Sequence, residues 1–178
     1  MNREALILSL KNYSTPFSEE RKFMLPFLEL IAHPDAYQRT HLPGHITGSA
    51  WILNAAKTKT LLVHHAKLNK WVQPGGHADG DENILAVALR EAEEETGVKN
   101  FTIEETLFDI DIHTIPARKD FPEHQHYDIR FGFTANEISP VTVSDESHDV
   151  KWISLDQLGD YTQERSVLRM KEKLQRTS

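Results

Sequence analysis

The sequence predicts an α+β fold: one domain over residues 46–178 carrying a helical N-terminal extension over residues 1–45. Three observations predict it. Helical patterns fit residues 2–11 and 19–32, strand-like stretches take over from residue 46, and a strongly marked helix near 83–95 interrupts them. No repeated βαβ unit and no internal repeat is visible.

In the extension, Ser18 is a candidate N-cap for the second helix, and Pro26 argues for a kink or a shorter helix. Phe23, Leu25, Phe27, Leu28, Leu30 and Ile31 nearly surround that helix. So much apolar surface needs cover, either from the main domain or from a second copy, and a homodimer through these helices is the expectation. ITGSAWIL (46–53) and TKTLLVHHA (58–66) read as strands, and WVQPGG begins extended and ends in a Gly-Gly turn. The stretch 101–117 alternates over its middle. The stretch 126–138 alternates well, with Tyr127, Ile129, Phe131 and Phe133 on one side and Arg130 facing solvent or a cleft. A short strand at 150–155 and an amphipathic helix near 155–173 complete the order.

The chain has 178 residues, enough for one substantial core, and its 39% hydrophobic and 26% charged content reads as soluble and globular. No apolar run approaches the roughly 18–20 residues that span a bilayer, and the N-terminus shows no secretory pattern. There is no cysteine, which excludes disulfides and thiol chemistry and fits a reducing cytoplasm. With a net charge of -7, the surface is a poor general partner for nucleic acid, so an anionic substrate would need local neutralisation, for which a divalent cation is the obvious candidate.

The segment QPGGHADGDENILAVALREAEEETGV carries the sharpest signal. On a helix over 83–95, Glu91, Glu94 and Glu95 stand at i, i+3 and i+4 on one face, beside an apolar stripe of Leu85, Ala88, Leu89 and Ala92. Carboxylates so stacked repel by a few tenths of a kcal/mol per pair, and they sit at the helix end where the dipole disfavours them. Most glutamate runs are nonetheless solvated faces. A hard cation reverses the argument, because Mg²⁺ or Mn²⁺ takes carboxylate oxygens and water. Gly75 and Gly76 would permit positive φ and close backbone approach. Gly97 is placed to end the helix in a left-handed cap. Glu82, near the helix start, is placed to receive Arg90, whose side differs from that of Glu91.

The segment resembles the signature of the Nudix hydrolase family at every fixed position: Gly76, Glu82, Arg90-Glu91-Ala92, Glu94-Glu95 and Gly97-Val98. VKWISLDQL is similar to the segment that often closes that fold, whereas residues 1–45 lie outside the resemblance. The resemblance implies a mixed β-sheet sandwiched between helices and metal-dependent attack of water on a pyrophosphate linkage in a nucleoside diphosphate linked to X. It implies that Glu91, Glu94, Glu95 and the Gly76 carbonyl bind Mg²⁺ or Mn²⁺, and that Arg90 and Glu82 organise the loop. Glu94 or Glu95 would activate the water, or a loop residue such as Glu123 would. An inactive nucleotide-binding module on the same fold is the alternative. The isomerase branch of the fold is disfavoured, since it relies on a cysteine.

Around the signature, His77, Arg39, His124, His126 and Arg130 are candidates for contacting the substrate, with Arg118 and Lys119 as further phosphate contacts. His124 and His126 share a side of an extended segment and suit a metal, a phosphate or a base equally. Trp71 and Tyr127 suit either base stacking or core packing. His64 and His65 straddle two faces, so at most one points inward.

Overall fold

The computed structural model describes residues 1–119 and 121–176. Two helices, α1 (Arg3–Asn12) and α2 (Ser18–Ile31), precede the sheet. The strands are β1 (Gly44–Asn54), β2 (Lys59–His65), β3 (Lys70–Val72), β4 (Gly75–His77), β5 (Thr102–Ile115), β6 (His124–Ala135) and β7 (Ser147–Ser154). Helix α3 (Ile84–Thr96) lies between β4 and β5, and α4 (Leu158–Tyr161) and α5 (Arg165–Arg176) end the chain.

Among the described residues these strands form one seven-stranded sheet of order β3-β2-β1-β6-β5, with β4 paired to β1 and β7 to β2. The β1–β6 pair is parallel and the other pairs are antiparallel, so the sheet is mixed. Strands β1 and β2 pair at Ile52–Leu61 and Leu53–Thr60. Further along, β3 takes the edge of β2 and β4 takes the edge of β1. The glycine segment is thereby wedged into the splay between two central strands.

Each face of the sheet is covered. Ile46, Ala50, Ile129, Phe131 and Phe133 pack with Leu6, Leu10, Phe27, Ile31, Val87, Ala88 and Ala92 from α1, α2 and α3. Trp51, Leu53, Leu62 and Ile153 pack with Leu158, Val167 and Met170 from α4 and α5. The apolar side of α2 is therefore buried by this chain's own sheet. Glu20 of α2, fully buried, accepts from Tyr13 (2.5 Å) and Lys173 (2.5 Å) and ties the extension to α5. Among the described residues no helix is long and apolar enough to cross a membrane.

Local chemistry explains the boundaries of α3. The Asn83 side chain accepts from Ala86 N at the start, and Gly97, at φ 72°, stops the helix with its N–H on Glu93 O. Four expectations are corrected. Phe17, not Ser18, is the N-cap of α2, without a side-chain hydrogen bond, and α2 runs fourteen residues through Pro26 rather than being shortened. The Gly75–Gly76 segment is a short strand, not a turn of positive φ. The last helix is interrupted: Thr162 is extended, and a new helix begins at Arg165.

Candidate active site

Helix α3 brings its carboxylates to the wedged glycine strand. Glu95, buried, accepts the Gly75 N–H at 2.8 Å. Glu91 lies against Gly76 so closely that a Cβ there would stand 2.5 Å from the Glu91 carboxyl carbon. Glycine at 75 and 76 thus answers a need for close approach rather than for unusual φ. Glu94 is exposed.

Arg90 Nη2 donates to His77 O at 3.0 Å, while Nη1 lies 2.7 Å from Glu91 Oε1 and 3.2 Å from Glu94 Oε2. The arginine fastens the glycine strand to the helix, but it does not reach Glu82. Glu82 pairs with Arg3 of α1 at 2.8 Å. The expected Arg90–Glu82 contact is replaced because the extension, whose position the signature cannot specify, delivers its own cation to the helix start.

The electrostatics of the trio fit a cation. Burial pushes the Glu95 carboxyl up to about 8, against the Gly75 hydrogen bond and with help from the fields of Glu91, Glu146 and Glu94. Burial likewise raises Glu91, although Arg90 opposes it. Glu146, in the loop before β7, acts on both and lines the same cleft. Sequence reasoning missed it, since nothing in VTVSDESHDV fixes which acid turns inward. Glu123 is exposed and stands outside the lining of the cleft.

The cleft measures about 1250 Å³ and is lined by Glu91, Glu94, Glu95, Gly76, His77, His124, His126, Arg39, Arg90 and Arg130, while Glu82 lies outside it. Arg39 is already engaged in a bidentate pair with Asp79. Arg118 lines the cleft and Lys119 does not. Position 120 of the polar loop 116–126 lies outside the described residues.

Arg130 does not face solvent. It is fully buried, with Nε 2.7 Å from Asp128 Oδ2 and Nη1 3.2 Å from Asp109 Oδ1, beneath α5. The alternation of β6 was legible, but the polar side is covered by Arg169 and Ser166. Tyr127 packs edge-on against Phe27 (5.2 Å between centroids), and Trp71 stacks on His64 (5.0 Å), so both aromatics serve packing. His65, in contrast to His64, lines the cleft.

One cluster was not foreseen as a unit. His45, His77, His124 and His126 place one ligand nitrogen each within 4.8 Å of one another, a group able to hold a metal ion. Register assembles it: His45 pairs with His126 across β1–β6, and His77 stands opposite Thr47, two residues from His45 on the same face. Burial holds His77 down to about 4 and His126 down to about 2, so these imidazoles are neutral at neutral pH.

The NUDIX domain model matches residues 44–174. This chain belongs to the Nudix family. It is 45% identical over 56 residues to the m7GpppN-mRNA hydrolase NUDT17 of Danio rerio, a match covering 29% of this chain and 19% of that protein's length. It is 27% identical over 130 residues to the "probable DHNTP pyrophosphohydrolase" of Lactococcus lactis, covering 72% of this chain and 76% of the relative. Among solved structures, a NUDIX family hydrolase from Clostridium perfringens superposes with a TM-score of 0.56 at 29% identity, over 75% of this chain and 98% of that one.

Proposed function

We propose that this protein is a metal-dependent hydrolase that cleaves a pyrophosphate linkage in a nucleotide or nucleotide derivative. The observation that carries this reading is the convergence of Glu91, Glu94, Glu95 and Gly76 on one cleft, with Glu95 held by the Gly75 amide at 2.8 Å. The donors fit a hard divalent cation: they are oxygens, crowded by like charge, and two are raised by burial. Glu91, Glu94, Glu95 and the Gly76 carbonyl would hold Mg²⁺ or Mn²⁺, which when bound neutralises phosphate charge and acidifies water.

The chain's own residues do the rest. Arg90 clamps His77 O and so fixes the distance between glycine strand and helix. Gly75 N–H orients the Glu95 carboxylate. Glu94, exposed to the cleft, or Glu95 accepts the proton of the attacking water as the bridging P–O bond breaks. His77, His124 and His126 line the wall beside the carboxylates, and Arg39 and Arg118 are positioned to meet phosphate oxygens. Arg130 acts through Asp128 and Asp109 rather than by direct contact, and Glu82 acts by anchoring α1.

The names of the relatives in Danio rerio and Lactococcus lactis support a substrate with linked phosphates. The absence of cysteine supports a reducing compartment, for which we infer the cytoplasm. A homodimer through the extension would have to use exposed Leu8 and Leu25, because the remaining apolar side of α2 is occupied. Nothing specific favours a binding module without turnover, since each signature carboxylate is in place.

The test is a panel of nucleoside triphosphates, nucleotide sugars, dinucleotides and CDP-alcohols with Mg²⁺ or Mn²⁺, run beside Glu94→Gln and Glu95→Gln. A preferred substrate whose turnover disappears in the variants is expected. Tight nucleotide binding without turnover across the panel would transfer the assignment to the binding module.

A further inference from the structure

We infer that His45, His77, His124 and His126 form a second metal site, for a borderline-soft divalent ion of the zinc class, separate from the oxygen donors of α3. This does not rest on the hydrolase reading.

Two of the four rings have their tautomers set by backbone. His124 Nδ1 lies 2.9 Å from Pro122 O and His45 Nδ1 lies 3.3 Å from His41 O. A carbonyl can only accept, so both Nδ1 atoms carry hydrogen and both Nε2 atoms present lone pairs. An imidazole fixed through one nitrogen with the other free is the usual arrangement of a metal-binding histidine.

The His45 lone pair has nothing to meet, and the His124 lone pair meets only the ring of His126. His45 is fully buried, and its Nε2 has no hydrogen-bond partner among the described residues. Leaving such a group unpaired in the interior is unfavourable. His124 Nε2 stands 3.2 Å from His126 Nε2. Tetrahedral Zn–N bonds of about 2.0–2.1 Å place ligand nitrogens about 3.3–3.4 Å apart, close to that spacing. The remaining ligand atoms, all within 4.8 Å, need a modest contraction. Ring centroids of His45 lie 5.0 Å from those of His124 and His126 and 5.2 Å from that of His77, so the rings surround a common point.

Nitrogen donors without carboxylate select against Mg²⁺, which takes oxygen, and suit zinc. Four imidazoles would also fill a tetrahedral shell and leave no open position, which marks a structural site rather than a catalytic one. Its ligands come from the start of β1, from the glycine strand and from the start of β6. An ion there would cross-link the start of β6 to the strand that Arg90 clamps, and so fix one wall of the cleft.

The test uses the full chain stripped with a chelator and titrated with Zn²⁺ against a chromophoric competitor, and with Co²⁺ as a spectroscopic probe. One tight equivalent is expected, unaffected by excess Mg²⁺ and retained in Glu95→Gln. In His45→Ala and His126→Ala the affinity should fall at least about 100-fold, in line with the weight of even outer-shell groups. Zn²⁺ should also raise the thermal midpoint of the wild-type chain and not of these variants. Should a histidine variant fail to fold, the Co²⁺ spectrum of the wild-type chain decides: intense visible bands of a four-coordinate nitrogen site support the inference. A pale six-coordinate spectrum, no stoichiometric binding, or binding lost in Glu95→Gln and kept in the histidine variants would overturn it.

Discussion

Arg3 Nη2 lies 2.8 Å from Glu82 Oε1, so the first acidic residue of the signature is held by the N-terminal helix. Arg3 also donates to His33 O (3.0 Å) and Pro34 O (2.9 Å) and sits over the Tyr37 ring. One side chain therefore joins α1, the loop before β1 and the start of the signature. Replacing Arg3 by Ala should lower stability by only about 0.5–1.5 kcal/mol, because water replaces it at the exposed carbonyls and the half-exposed Glu82 ion pair contributes little. Urea unfolding measures it, and Arg3→Lys should recover only part of the loss, lacking the guanidinium fork.

The contact between glycine strand and helix gives a sharper prediction. A Cβ at Gly75 would stand 2.7 Å from Ser49 Cβ and 2.8 Å from Ser49 Cα, so β1 itself would have to move. Gly75→Ala should cost about 1–3 kcal/mol and reduce turnover, because the same shift takes the amide away from Glu95. Gly159→Ala, where nothing lies within 4 Å, should leave activity unchanged. Thermal denaturation and initial rates of the two variants make the comparison.

Acid should unfold the protein through the ion network under α5. Burial pushes Asp109 up, but the Arg169 hydrogen bonds and the fields of Arg130, Arg169 and Lys173 outweigh it and hold the carboxyl below its ordinary value of 3.8. A depressed folded pKa contributes stability that is present above the unfolded value and lost as pH falls toward the folded one. The melting temperature should therefore drop steeply below about pH 4, and Arg130→Ala, which strands these carboxylates, should cost about 3–5 kcal/mol already at neutral pH. Scanning calorimetry over pH would show both.

Glu95 predicts the opposite slope at higher pH. Its carboxyl, pushed up to about 8 by burial, contributes stability that is complete below the ordinary 4.5 and lost as pH rises through about 8. In chelator-treated protein the melting temperature should fall between those values, and Glu95→Gln should flatten the fall. Added Mg²⁺ should restore wild-type stability and leave Glu95→Gln less affected.

What was legible in the sequence was what depends on local spacing. The apolar stripe, Asn83 and Gly97 delimit α3 by themselves, and the signature fixed its carboxylates on one face. What was not legible depends on partners distant in the chain. Nothing in DIRFGF says that α5 will cover Arg130, and nothing near Glu82 says that Arg3 will reach it. His45 looks like an ordinary residue opening a strand until the parallel register sets it beside His126. Of the two reasons the glycines suggest, close approach holds and positive φ does not, since crowding by Ser49 and Glu91 excludes a side chain there.

The proposed reaction is attack of water on a phosphorus atom in a cleft built around Glu91, Glu94 and Glu95. The measurement that meets it most directly is hydrolysis of the fastest panel substrate in ¹⁸O-enriched water with Mg²⁺, followed by ³¹P NMR. One phosphate group of the products should carry one solvent oxygen, and the rate should fall at least about 100-fold in Glu95→Gln, a loss of about 3 kcal/mol. Products free of label, or an undiminished rate in Glu95→Gln, would contradict it.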